Sequence, residues 1–178
     1  LMALLARYLR WEVEKLNGDN IRLRFIGRRD RLSPRLQRLI HRSERATREN
    51  VAGTLVLALD YGGQQDIVQA ARVLAERVSD GEMAASDITE KSLAMELALA
   101  DSPAPDLCIR TGGDTRVSNF LLWQFAYTEL YFTDTLWPDF DEHSLDRAIE
   151  DYSQRHRRFG LRIDAGDKDL HAVAPESN

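Results

Sequence analysis

Cysteine is nearly absent: Cys108 is the only one in 178 residues, so no internal disulfide can form and a reducing cytoplasm suits the chain. It lies in an apolar stretch, which reads as a buried, inert thiol rather than a nucleophile. The four histidines, His41, His143, His156 and His171, show no ligand spacing, and this argues against a zinc site. No apolar run approaches the roughly 20 residues that span a bilayer. Internal repeats and low-complexity stretches are missing too. Positive charge is not in excess: 24 Lys and Arg against 29 Asp and Glu leave −5, which argues against a nucleic-acid binder. What remains is 43% hydrophobic and 30% charged residues, at a length that suits one globular domain with its own core.

The first residues lack a helix start. Leu1, Leu4, Leu5, Leu9, Val13 and Leu16 fall at helical spacing with no N-cap, initiating methionine or leading loop before them. A helix is expected to be already running at residue 1, and an N-terminal part to be missing. Asn17-Gly18-Asp19 ends that helix, and alternation over Ile21–Ile26 predicts a strand with one wetter face. Ser33-Pro34 reads as an N-cap followed by proline at the first helical position. The basic run Arg35, Arg38, His41, Arg42, Arg45 and Arg48 reads as a solvated helix face in preference to a membrane-surface helix, since Glu44 and Glu49 dilute it.

Residues 54–59 form a continuous apolar run, as a buried parallel strand does, and end in Asp60-Tyr61-Gly62-Gly63. A helix is expected over 65–78, with Ile67, Val68, Ala71, Leu74 and Val78 facing inward, and a shorter one over 89–99. Ser144 is expected to cap a last helix running to about Phe159, and residues 161–178 to form a polar tail. Strand and helix alternate with crossovers long enough for parallel pairing, so the fold class is α/β with a parallel sheet surrounded by helices. Four strands are legible, at about 21–26, 54–59, 106–110 and 130–133.

The stretch 106–140 carries the chemistry. Leu107-Cys108-Ile109 reads as a buried strand and stops in Arg110-Thr111-Gly112-Gly113. Two glycines there let the backbone turn sharply and present amide groups to a ligand. Arg110, Arg116, Thr111, Thr115 and Ser118 crowd this loop around Asp114. Any one of these arginines reads as a surface charge. The set reads as a phosphate-binding inventory, because the guanidinium fork matches phosphate oxygens two at a time. Residues 120–127 are apolar all round, which predicts a helix buried on every side. Glu129 is open between a helix-end accident and a metal ligand.

The string from Ile109 to Phe140 resembles the C-terminal signature of the cis-prenyltransferase family, nearest to its bacterial undecaprenyl diphosphate synthases. The resemblance extends more weakly over 1–160, through Asn20–Arg24, Ile26-Gly27 and Tyr61-Gly62-Gly63 with Asp66-Ile67-Val68. It implies one domain over 1–160, the later two-thirds of a fold whose parallel sheet has six strands, two of them N-terminal to this chain. The implied activity condenses isopentenyl diphosphate onto an allylic diphosphate, usually farnesyl diphosphate, with cis double bonds, giving the carrier lipid of cell-wall synthesis. By position it implies that Arg110, Arg116, Val117 and Ser118 hold isopentenyl diphosphate. Glu129 would help coordinate Mg²⁺, and Leu1, Leu4, Leu5 and Leu9 would line the product tunnel. Arg158-x-Gly160 would reach across a homodimer to the neighbouring subunit's substrate. A cytoplasmic enzyme with no nucleic-acid partner and peripheral membrane contact for product release is the expectation.

Three departures stand beside it. The family's Asp-Gly-Asn-x-Arg-Trp motif with its essential aspartate is absent, as is a Ser-Ser-Glu-Asn-Trp-like segment, so the 178 residues alone are expected to be inactive. Asp114 stands where glutamate is usual, and Thr115 where many bacterial members have a histidine near the metal. The alternatives are a non-catalytic partner subunit of a two-subunit prenyltransferase and a generic phosphoanion-binding α/β module. Arg110, Arg116 and Ser118 together favour the enzyme.

Overall fold

The computed structural model describes residues 2–155. Leu1, His156, Arg158, Gly160, His171 and the expected tail therefore lie outside the described residues, and so does the expected helix end at Phe159. The chain divides into two compact units: residues 2–105 with Arg116–Ala126, and residues 106–115 with those from 127 onward.

The first unit begins with α1 (Met2–Gly18), β1 (Ile21–Ile26) and α2 (Pro34–Ala46). Leu9 and Leu16 of α1, Leu23 and Phe25 of β1, and Leu36 and Ile40 of α2 close one core. Each such side chain contributes about 1.5–3 kcal/mol by leaving water. β1 pairs in parallel with β2 (Gly53–Ala58), from Ile21 opposite Gly53 to Ile26 opposite Ala58. The outer edge of β1 is closed by side chains. Leu23 N–H donates to Thr47 Oγ1 at 3.0 Å and Phe25 N–H to Glu44 Oε1 at 3.0 Å, while Arg29 holds Glu44 at 2.7 Å. A covered strand edge cannot template a further strand. Ser33 caps α2 as expected, its oxygen accepting from Leu36 N–H at 3.3 Å.

α3 (Gly63–Ser79) and α4 (Glu90–Glu96) complete this unit. The buried face of α3 is Gly63, Ala70 and Leu74, whereas Val68 is half exposed at 50%, so the expected inward face is rotated by about one residue. α4 stops short of residue 99 because Leu97 is extended and Leu99 sits at φ 66°.

The second unit pairs β3 (Leu107–Arg110) in parallel with β4 (Glu129–Phe132), and α5 (Glu142–Ser153) follows. Asp141, not Ser144, caps α5: its carboxylate accepts from Ser144 N–H at 2.9 Å. The α/β class and parallel pairing are as expected, with the four strands arranged as two two-stranded sheets, one per unit.

Candidate phosphate-binding site

In the second unit, Gly112 and Gly113 make the turn after β3 with φ 85° and 80°, a left-handed conformation that a Cβ disfavours. Their amides are not bare. Gly112 N–H donates to Thr135 O at 2.9 Å and Gly113 N–H to Thr133 O at 3.0 Å. The expectation that this turn offers amides to a ligand is thus corrected: the glycines shape the turn, and their amides are spent on backbone carbonyls. Arg110, half-buried at the end of β3, donates from Nη2 to Asp114 Oδ2 at 2.9 Å. Its Nε is buried and has no hydrogen-bond partner among the described residues. A buried donor left unsatisfied costs about 1–3 kcal/mol, so an anion's oxygen would find a favourable place there. Thr115 lines a cleft of about 350 Å³ with Gly113, Phe132, Thr133 and Asp134.

Glu129 opens β4. Its Oε2 accepts from Arg155 Nη1 at 3.0 Å, and the same nitrogen donates to Leu130 O at 3.0 Å. Glu129 and then Asp151 hold the Arg155 pKa above its usual value. In the strand register Glu129 faces Leu107 and Arg110 faces Phe132, so Glu129 and Arg110 stand at opposite ends of the sheet. Three residues of rise put about 10 Å between those positions. Among the described residues no group of three or more acidic, histidine or cysteine side chains could hold a metal. A hard cation such as Mg²⁺ needs several oxygens. One ion-paired carboxylate remote from Arg110 does not fit a metal shared with an anion at Arg110 of the same chain. Cys108 is half-buried in β3, and burial raises its thiol pKa against a weaker pull from Arg110, which suits an inert thiol.

In the first unit, Arg116 and Ser118 are exposed and Val117 is half-buried. Residues 120–127 are not the all-round buried helix their composition predicts. They turn, with only a short 3-10 segment at Gln124–Tyr127, because Ser118, Asn119 and Leu121 take φ of 52°, 64° and 44°. Such conformations cost non-glycine residues about 1–3 kcal/mol each and persist only where neighbours enforce them. Four contacts enforce them. Gly63 N–H donates to Asn119 O at 2.7 Å, and Gln64 N–H to Asn119 Oδ1 at 2.8 Å. Phe120 meets Tyr61 edge-on at 5.8 Å, and Gln124 Nε2 donates to Ala98 O at 2.9 Å. Tyr61 in turn donates to Asp66 Oδ2 at 2.9 Å, and burial, then Asp66, raises its pKa. Asp66 also accepts from Ala98 N–H at 3.0 Å.

A second cleft, of about 690 Å³, opens beside the ends of β1 and β2. Asp30, Asp60, Asp66 and Glu96 line it against Arg28 and Arg72. Carboxylates outnumber arginines there, which does not suit a diphosphate. Of the tunnel candidates, Leu9 is spent in the core at 2% exposure, Leu5 is half-buried and Leu4 is 56% exposed. No helix of the described residues is long and apolar enough to cross a membrane. Asn119 was not singled out in the sequence. Its signal was its place between a phosphate-type serine and an apolar run, where an asparagine that tolerates positive φ can turn the chain.

The chain is similar to known proteins over most of its length. Residues 1–160 match the family model described as "Putative undecaprenyl diphosphate synthase". The farnesyl-diphosphate-specific ditrans,polycis-undecaprenyl-diphosphate synthase of Xanthomonas axonopodis pv. citri is 53% identical over 161 residues, covering 90% of this chain and 63% of that protein. The enzyme of the same name from Pseudomonas aeruginosa is 52% identical over 160 residues, 90% of this chain and 64% of its own length. The crystal structure of lavandulyl diphosphate synthase from Lavandula x intermedia, in complex with dimethylallyl diphosphate, superposes with a TM-score of 0.86 at 39% identity. That match covers 90% of this chain and 70% of the plant protein. The chain thus spans less than two thirds of the length of the two bacterial relatives.

Proposed function

The chain belongs to the undecaprenyl diphosphate synthase family of prenyltransferases, and on that premise we propose that its protein condenses isopentenyl diphosphate onto farnesyl diphosphate to give a long-chain polyprenyl diphosphate such as undecaprenyl diphosphate. The reading is supported by 53% identity to a farnesyl-diphosphate-specific synthase. The observation that carries it to a site is Arg110, whose buried Nε lacks a partner in a loop rich in phosphate-type residues. Arg110, Arg116 and Ser118, with Val117 between the last two, hold the isopentenyl diphosphate by charge-assisted hydrogen bonds. A cytoplasmic homodimer, with Arg158 and Gly160 serving the neighbouring subunit's substrate and peripheral membrane contact for product release, belongs to the same proposal, as does a role in cell-wall precursor synthesis. Leu4 and Leu5 offer apolar surface to the growing chain.

A divalent cation, Mg²⁺, would neutralise charge on the departing diphosphate. No step is assigned to it through Glu129, whose carboxylate is held by Arg155.

The test is incorporation of radiolabelled isopentenyl diphosphate in a form spanning the relatives' full length. Each of Arg110→Ala and Arg116→Ala should raise the KM for isopentenyl diphosphate about ten- to a hundredfold, the loss of one charge-assisted contact. Wild-type KM values in both variants would refute the phosphate assignment. Glu129→Ala in the same assay separates a metal ligand, which would shift the Mg²⁺ dependence, from a structural partner of Arg155, which would not.

A further inference from the structure

The most unusual backbone in the first unit lies next to Ser118, and one side chain accounts for its being held there. The N-cap position of α3 is Gly62, which has no side chain to satisfy the first amides of the helix. The first two of those amides are satisfied from far along the chain: Asn119 O accepts from Gly63 N–H and Asn119 Oδ1 from Gln64 N–H. The amides of Gly63 and Gln64 are thereby taken and are not offered to an anion. Glycine is required at both positions by proximity. A Cβ on Gly62 would lie 2.9 Å from Asn119 Nδ2, and one on Gly63 would lie 2.9 Å from the backbone nitrogen of Leu122.

We propose that Asn119 is the positioning residue of the phosphate-binding segment: by capping α3 from outside, it holds Ser118 in its left-handed conformation and fixes the direction in which Arg116 and Ser118 present their donors. Its action is through geometry, since its own oxygens are spent on Gly63 and Gln64. A segment held by the main-chain carbonyl alone keeps its fold yet loses one of two anchors. A displacement of about 1 Å at an anion-binding group is enough to cost a large factor in affinity. The proposal rests on the reading that Arg116 and Ser118 take the diphosphate of isopentenyl diphosphate.

The experiment combines amide hydrogen exchange with equilibrium titration of isopentenyl diphosphate, on the 178-residue chain and its variants. Asn119→Gly keeps the positive φ and the carbonyl but deletes the side-chain acceptor, so it should fold. It should speed exchange at Gln64, leave Gly63 protected and weaken binding by about tenfold, the scale of one hydrogen bond. Asn119→Ala should do both more strongly. Arg116→Ala, as the control, should weaken binding without altering exchange at Gln64. If Asn119→Gly exposes Gln64 and binds like the parent, Asn119 is only structural and the proposal is overturned. Unchanged exchange at Gln64 overturns it as well. If the parent itself binds no isopentenyl diphosphate, the reading of the segment as a diphosphate site falls, and the positioning role falls with it.

Discussion

Gly62-Gly63 and Gly112-Gly113 look alike on paper, a glycine pair just after a parallel strand, yet glycine is needed for opposite reasons. Gly112 has positive φ and nothing within 4 Å of a built Cβ, so it is there for conformation alone. Gly62 is extended at φ −146°, and Gly63 opens a helix, so neither needs glycine for its dihedrals. They need it because the Asn119 side chain lies against Gly62, and the Leu122 backbone and side chain lie against Gly63. One pair bends its own chain, and the other admits a distant one. The amides of Gly63, Gly112 and Gly113 are all spent on backbone carbonyls, so the proposed phosphate recognition is one by arginine and hydroxyl side chains.

Gly27 combines both reasons and sets the upper end of the comparison. Its φ is 96°, and an added Cβ would sit 2.2 Å from Leu59 O. Gly27→Ala should destabilise the chain by about 3 kcal/mol or more, strain and overpacking acting together. Gly63→Ala should cost about 2 kcal/mol by overpacking against Leu122 and should also weaken isopentenyl diphosphate binding. Gly112→Ala should cost about 1 kcal/mol, and Gly112→Asn less, since asparagine tolerates positive φ. Denaturant unfolding of the series gives the order. Equal costs at Gly63 and Gly112, or an asparagine that rescues Gly63, would break the distinction.

The two helix starts sharpen it further. α3 is capped by a carboxamide that does not titrate, and α5 by the Asp141 carboxylate, whose pKa is lowered by the hydrogen bonds from Ser144. A lowered folded-state pKa means the cap's stabilisation is complete above the unfolded value of about 3.9 and is lost as pH falls through the folded one. Asp141→Asn should therefore narrow its stability gap to the parent as the medium is acidified. Asn119→Gly should show a gap that does not change with pH. A constant gap for Asp141→Asn would contradict the cap assignment.

The sequence was most readable where one local rule decided the outcome. Ile21–Ile26 alternates, Ser33-Pro34 carries the cap and the fixed φ, and both appear where expected. It was least readable where a distant contact overrode a local one. Phe120–Tyr127 has the composition of a buried helix, but Asn119 is committed to α3 and the positive φ values around it forbid the first turn. Likewise Ser144 is a good cap by type, and Asp141 three residues earlier is better placed. Arg110 ends β3 as the sequence predicts, and its Nε is buried without a partner among the described residues. Glu129 shows what spacing cannot reveal: strand register sets it at the far end of the sheet from Arg110, in the hands of Arg155.

The proposed function requires that Arg110 and the 116–118 segment take a diphosphate. Equilibrium titration of isopentenyl diphosphate onto the 178-residue chain, beside Arg110→Ala and Arg116→Ala, asks this directly. The prediction is saturable binding by the parent that is weakened about ten- to a hundredfold in each variant, in proportion to the charge-assisted contact removed. Binding of equal strength in all three chains, or none in the parent, would contradict it.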